Sequence, residues 1–213
     1  MIGTTKISEC RLPLIGIERL RMGIDGTGVR TLIGTAGCPL RCNYCLNPHS
    51  WDGTGKIRNF SPEELYERVR IDSLYFQATG GGLTFGGGEP LLHIQEIQRF
   101  RRICPDSWSF WIETSLQAEE EEIRTAADVF DHFIVDIKTT DPDIYRAYTG
   151  GDSARAMENL KLLLELVGPD RITVRVPLIP GYVDETSRRR SAELLETMGI
   201  LHTDWLTYYQ QIP

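Results

Sequence analysis

The chain has 213 residues, of which 41% are hydrophobic and 25% charged, enough to bury one α/β-sized core. Thirty acidic against 23 basic residues leave a net charge of -7, which speaks against a broad electrostatic surface for nucleic acid or anionic lipid. Met1–Lys6 open no secretory pattern and no stretch approaches the ~18 apolar residues of a membrane span, so a cytoplasmic protein with no membrane partner is expected.

In chain order, residues 1–25 read as an irregular or hairpin lead-in. A first strand is predicted at Val29–Gly34, followed directly by the cysteine-bearing segment 37–45. Ser61–Ala78 reads as a helix opened by Ser61-Pro62-Glu63-Glu64, a Ser cap with Pro at the first position and Glu at the third. Strand Gly82–Phe85, helix His93–Cys104, strand Trp108–Glu113, helix Gln117–Ala127 and strand His132–Lys138 come next. Helix Ser153–Val167 repeats Met157, Leu160, Leu164 and Val167 at core spacing, ahead of strand Arg171–Ile179, helix Thr186–Met198 and strand Asp204–Tyr209. The run Arg188-Arg189-Arg190 reads as a solvated helix face. This alternation predicts one domain built on a parallel sheet with helical crossovers, and by itself admits either a barrel or a doubly wound sheet.

Five cysteines are an odd number, and three of them, Cys38, Cys42 and Cys45, share one short loop, which suits metal binding in a reducing compartment better than a disulfide framework. The loop leaves the C-terminal end of a strand, the edge at which parallel α/β proteins bind ligands. Structural zinc and electron-carrying [4Fe–4S] sites are closed by four protein ligands; three thiolates on four irons leave one iron open for a cofactor or substrate. A zinc knuckle completed by His49, or a four-cysteine cluster completed by Cys10 or Cys104, stays open as an alternative. Cys104 falls in helical register with Ile97 and Phe100 and reads as a small buried hydrophobe. His93, His132 and His202 lack carboxylates at ligand spacing and read as structural or surface histidines.

The C-x3-C-x2-C loop after a first strand resembles the signature of the radical S-adenosylmethionine (SAM) enzymes. The blocks 25–31, 38–51, 80–90, 135–138 and 174–182 resemble, in order, those of the glycyl-radical-enzyme activases of the pyruvate formate-lyase-activating type. No cysteine occurs at positions 46–79, so the chain resembles the compact form without a ferredoxin-like insert. The resemblance implies an α/β fold, a partial (β/α)6 TIM-like barrel ending after the sixth strand. It also implies a [4Fe–4S] cluster on Cys38, Cys42 and Cys45, and SAM chelating the open iron.

By the same resemblance, Tyr44, Leu46 and Asn47 line the SAM site, with Gly87, Gly88 and Glu89 offering close backbone approach to the ligand. Thr114, Asp136, Lys138 and Arg175 stand near its polar groups. Asp136 and Lys138, two apart on a strand, share a face, and opposite charges aimed inward need a partner or a charged ligand. Glu113-Thr114 stands where the family has Asp-Thr, which with Asp136 implies a monovalent cation beside the SAM carboxylate. Leu46 and Gln210 replace histidines of the family pattern, and Asp25 is a candidate contact for a protein partner.

The activity implied is reductive cleavage of SAM, with one electron from flavodoxin or ferredoxin. The 5′-deoxyadenosyl radical then takes a glycine Cα hydrogen from a glycyl-radical enzyme under anaerobic conditions. A radical SAM enzyme acting on a small molecule, and an electron-transfer or zinc protein without turnover, are the competing readings.

Overall fold

The computed structural model describes residues 11–51 and 55–208. Its strands are β1 (Leu12–Met22), β2 (Val29–Thr35), β3 (Arg58–Phe60), β4 (Gly82–Gly87), β5 (Ser109–Thr114), β6 (His132–Asp136), β7 (Ile172–Arg175) and β8 (His202–Asp204). They form one sheet in the order β3-β1-β2-β4-β5-β6-β7-β8. From β2 to β8 every pair is parallel, while β1 runs antiparallel to both β2 and β3. The helices are α1 (Pro62–Val69), α2 (Ser73–Thr79), α3 (Ile94–Arg101), α4 (Glu120–Val129), α5 (Pro142–Thr149), α6 (Ser153–Val167) and α7 (Glu185–Thr197).

The strand order decides between the two architectures left open by alternation. A doubly wound sheet reverses its order at a switch point. Here the parallel strands follow chain order without reversal, and right-handed crossovers then put the main crossover helices on one face. Helices α1, α3, α4 and α6 pack side by side in that sequence. Alternate residues of each strand join them in the apolar core: Leu83 and Phe85, Phe110 and Ile112, Phe133 and Val135, Ile172 and Val174. The intervening residues face the other way, across a concave surface. The fold is therefore a partial (β/α)6 barrel, open at the side.

Of the two forms expected for the lead-in, the described part takes the hairpin one: it makes an eleven-residue strand, β1, antiparallel to β2, whose Leu12 and Leu14 join the core. Its register on β2 slips twice, between Leu14 and Gly16 and between Glu18 and Arg21, which blurs the period-2 pattern that would reveal it. The expected helix 61–78 is capped as predicted, Ser61 Oγ accepting from Glu64 N at 3.2 Å. It breaks into α1, a 3-10 turn at Arg70–Asp72, and α2. Asp72 falls on the inward stripe with Leu65, Val69 and Phe76; its buried carboxylate accepts from Arg19 Nε at 2.9 Å and Thr31 Oγ1 at 2.9 Å.

In α6 the buried residues are Ser153, Ala156, Asn159, Leu160 and Leu163, while Met157, Leu164 and Val167 only flank the core, a face rotated by about one residue from the expected one. Arg189 and Arg190 are exposed, whereas Arg188 lies over the Trp205 ring at 4.6 Å. The last strand is shorter than predicted, and Tyr209, Gln210 and Cys10 lie outside the described residues. Among the described residues no helix is long and apolar enough to cross a membrane.

Candidate active site

The cysteine loop leaves β2 and is tied down on three sides. Gly37 N donates to Ser50 O at 2.7 Å, and Arg41 N and Asn43 N donate to Thr149 O and Tyr148 O, at the end of α5, at 2.8 and 3.1 Å. Gly88 N and Glu89 N donate back to Thr35 O and Gly37 O at 2.9 and 2.8 Å. Asn47 adds a side-chain bond to Gly87 O at 3.4 Å.

The glycine tract is required by this seam. A Cβ on Gly88 would lie 2.1 Å from Gly37 O, and Gly87, at φ +93°, would press on Gly34 Cα at 2.8 Å. The expected role of these glycines was approach to a ligand; their first function is backbone packing between β4 and the cysteine loop.

Cys38, Cys42 and Cys45 are unpaired thiols, half-buried at the rim, and electrostatically coupled to one another. Burial pushes the Cys38 thiol up to about 12 and raises Cys42 as well, against the pull of Lys138. Iron binding therefore has to displace protons from them. Cys104 is buried in the helix-side core and His49 is exposed. Among the described residues no three His, Cys, Asp or Glu side chains converge tightly enough for a single metal ion, so the geometry lends the zinc knuckle no support.

Beside the thiols the concave face is charged. Lys138 Nζ, almost wholly buried, lies 3.3 Å from Asp136 Oδ2 and donates to Tyr208 Oη at 2.7 Å. Burial depresses the Lys138 ammonium, but Asp136, Tyr208 and Cys42 together outweigh it and hold the group well above its ordinary value. Arg175 Nη1 pairs with Glu113 Oε1 at 2.7 Å, and its Nε lies 3.6 Å from Asp204 Oδ2. Burial raises the Glu113 carboxyl, against Arg175. Two buried atoms here have no hydrogen-bond partner, Asp136 Oδ1 and Arg175 Nε.

An acceptor and a donor left unmet in a charged face next to three thiols suit a zwitterionic ligand such as the methionyl end of SAM. Among the described residues the other thiol, Cys104, is buried in the core, so the three at the rim suit a cluster with one open iron. Both expected cofactors therefore fit. The monovalent cation fits less well: Glu113 Oε1 is taken by Arg175, Asp136 Oδ2 faces Lys138 and Thr114 Oγ1 donates to Glu89 Oε1 at 2.6 Å, which leaves Asp136 Oδ1 as the buried unmet oxygen.

Several expected contacts take another form. The Glu89 carboxylate, fully enclosed, accepts from Thr114 Oγ1, from Ser115 N at 2.9 Å and Oγ at 2.6 Å, and from Leu91 N at 3.3 Å, so it staples β4 to β5 and leaves only backbone for a ligand. The Tyr44 ring packs edge-on against Tyr148 and Tyr182, and its hydroxyl donates to Pro180 O at 3.2 Å. Leu46 is 75% exposed and turns its side chain to solvent.

Asp25 is 3% exposed and paired with Arg21, so its carboxylate is not on an open docking surface. His93 Nε2 lies 2.7 Å from Ala36 O, and the His132 ring stacks on Trp111 at 4.2 Å; both are structural. Tyr208, Ser115, Tyr148 and Asp204 escaped the sequence analysis because each acts through long-range contacts that no local spacing announces.

Fold and rim together define a partial barrel with a cysteine-lined mouth, the architecture of the radical SAM enzymes. Residues 32–189 match the model of the radical SAM superfamily, and the chain belongs to it. It is 30% identical over 172 residues to the pyruvate formate-lyase-activating enzyme of Staphylococcus aureus (strain USA300), covering 76% of this chain and 66% of that protein. The chain thus spans just under two thirds of the length of these relatives. Among solved structures it is similar in fold to Streptococcus suis SuiB bound to its precursor peptide SuiA (TM-score 0.65, 14% identity, 84% of this chain and 38% of that one). QueE from Escherichia coli matches over 93% of this chain and 95% of its own, with TM-score 0.50 and 15% identity.

Proposed function

We propose that this chain is a glycyl-radical-enzyme activase: it cleaves SAM reductively and removes a glycine Cα hydrogen from a partner enzyme. The observation that carries the radical chemistry is the pair of unmet atoms, Asp136 Oδ1 and Arg175 Nε, beside three thiols that have no fourth beside them among the described residues. Similarity to the S. aureus activating enzyme supports the glycyl target. Cys38, Cys42 and Cys45 would hold the cluster, and Asp136 and Arg175 the charged ends of the SAM methionyl group. With both bound, these groups would supply the one-electron reduction of SAM and the hydrogen-atom abstraction that the proposed reaction needs.

The protein's own work is positioning. Lys138 places a fixed positive charge beside Cys42, where thiolate and cluster charge accumulate. Glu89 locks the glycine tract to β5, and the Tyr44–Tyr148–Tyr182 group closes the loop against water. Flavodoxin or ferredoxin would provide the electron, in the cytoplasm and without oxygen.

The test is anaerobic: the reconstituted, dithionite-reduced protein is given SAM and 5′-deoxyadenosine is quantified, with Cys42→Ala as control. Cysteine-dependent product followed by a glycyl electron paramagnetic resonance signal in a co-purified partner supports the activase. Product without that signal turns the reading to a small-molecule substrate, and no product from an intact cluster defeats the radical SAM activity.

A further inference from the structure

The resemblance of Glu113-Thr114 to the family's Asp-Thr implies a sodium or potassium ion beside the SAM carboxylate, and the three residues concerned do not fit one. Each of those residues already commits a side-chain oxygen to a partner within the protein, and Asp136 Oδ1 is the buried oxygen left over, one acceptor where an ion needs several. Glu113 Oε1 is held by Arg175 Nη1 at 2.7 Å, Thr114 Oγ1 is spent on Glu89 Oε1 at 2.6 Å, and Asp136 Oδ2 lies 3.3 Å from Lys138 Nζ. The Arg175 side chain is only 11% exposed and sits among three carboxylates, those of Glu113, Asp136 and Asp204. Its Nη2 also donates to Ile24 O at 3.2 Å, so the head group is fixed from two sides.

We propose that the Arg175 guanidinium takes the place of the monovalent cation in this chain, and that SAM binding is consequently indifferent to sodium and potassium. The reason is reach. One more methylene carries the Glu113 carboxylate to Arg175, where an Asp side chain falls short, and a permanent, desolvated positive charge at that point repels a second cation. The Nε of Arg175, 3.6 Å from Asp204 Oδ2, makes no hydrogen bond within the protein. The guanidinium thereby acts as counterion and as ligand donor at once, which a bare ion cannot do.

The proposal rests on the concave face being the SAM site, and the experiment separates the two. SAM affinity of the reconstituted holoenzyme is measured anaerobically in potassium, sodium and choline chloride at equal ionic strength. Thallium-205 resonance, with thallium(I) as the probe for a potassium-type site, is recorded on the same protein without SAM.

The expected result is a SAM affinity unchanged within about twofold among the three salts, meaning no coupling between ion and ligand, and no bound thallium signal. Glu113→Asp, which withdraws the carboxylate from Arg175, is expected to gain a bound thallium signal and a SAM affinity about 5-fold or more higher in potassium than in choline. Bound thallium or a potassium-specific rise in affinity in the wild type would overturn the proposal. A Glu113→Asp protein as indifferent as the wild type would also overturn it. Failure to bind SAM in any salt would defeat the reading of the site, while the thallium comparison would still decide the cation question.

Discussion

At the residue scale, the site is governed by how buried charge is matched. Lys138 and Asp136 are enclosed together, and Tyr208 takes one of the ammonium's protons in a hydrogen bond. Removing one partner of such a pair strands the other, so Lys138→Met should lower the unfolding free energy by about 3–5 kcal/mol in urea titrations. A loss within the error of the wild type would mean that water already solvates Asp136. His132 gives a pH signature. Burial first, then His202, Arg30 and Arg171, pulls its imidazole from 6.5 down to about 4. A depressed folded-state value means the unfolded chain takes up the proton first. The stability His132 contributes is thus complete above pH 6.5 and lost as pH falls toward 4. His132→Gln should flatten the stability curve in that window, and an unchanged slope would assign the loss to other groups.

At the element scale, the cysteine loop is shaped by its neighbours more than by its own sequence. The carbonyls of Tyr148 and Thr149 at the end of α5 receive its amides, and the glycines of β4 lie flush against it. Helix α5 was not expected from the sequence: Pro142–Thr149 is short, and its Asp141 cap comes only five residues after the end of β6 at Asp136, close behind the charged strand end. Gly88→Ala forces a Cβ into Gly37 O and should cost about 1–3 kcal/mol and much of the iron content after reconstitution. Gly16→Ala, whose Cβ meets nothing within 4 Å at a position without a left-handed φ, should keep its iron. Equal iron in both variants would show that the seam does not shape the cluster loop.

At the scale of the whole molecule, a one-sided sheet separates tasks. The helix side holds the apolar core, including Cys104, and the concave side holds charge and the thiol rim. Iron analysis should therefore find about four irons per chain in both wild type and Cys104→Ala, and little iron in Cys38→Ala. Iron loss in Cys104→Ala would move the fourth ligand into the core and undo the open-iron arrangement.

The sequence by itself determined the alternation of the parallel strands β2, β4, β5, β6 and β7 with α1, α3, α4, α6 and α7, though not β3 or α5, together with the thiol triad and the same-face placement of Asp136 and Lys138. Spacing along one chain sets all of these directly. It left open the form of β1, whose slipped register erases alternation, and could not reveal the break at Asp72, which answers to Arg19 and Thr31 far away in the chain. Only the tertiary structure turned the Glu89 carboxylate onto β5, buried Asp25 against Arg21, and gave Glu113 to Arg175 rather than to an ion. The physical reason is the same in each case. A buried polar group is satisfied by whichever partner the fold brings within hydrogen-bond reach, and that partner is chosen by strand order rather than by neighbouring residues.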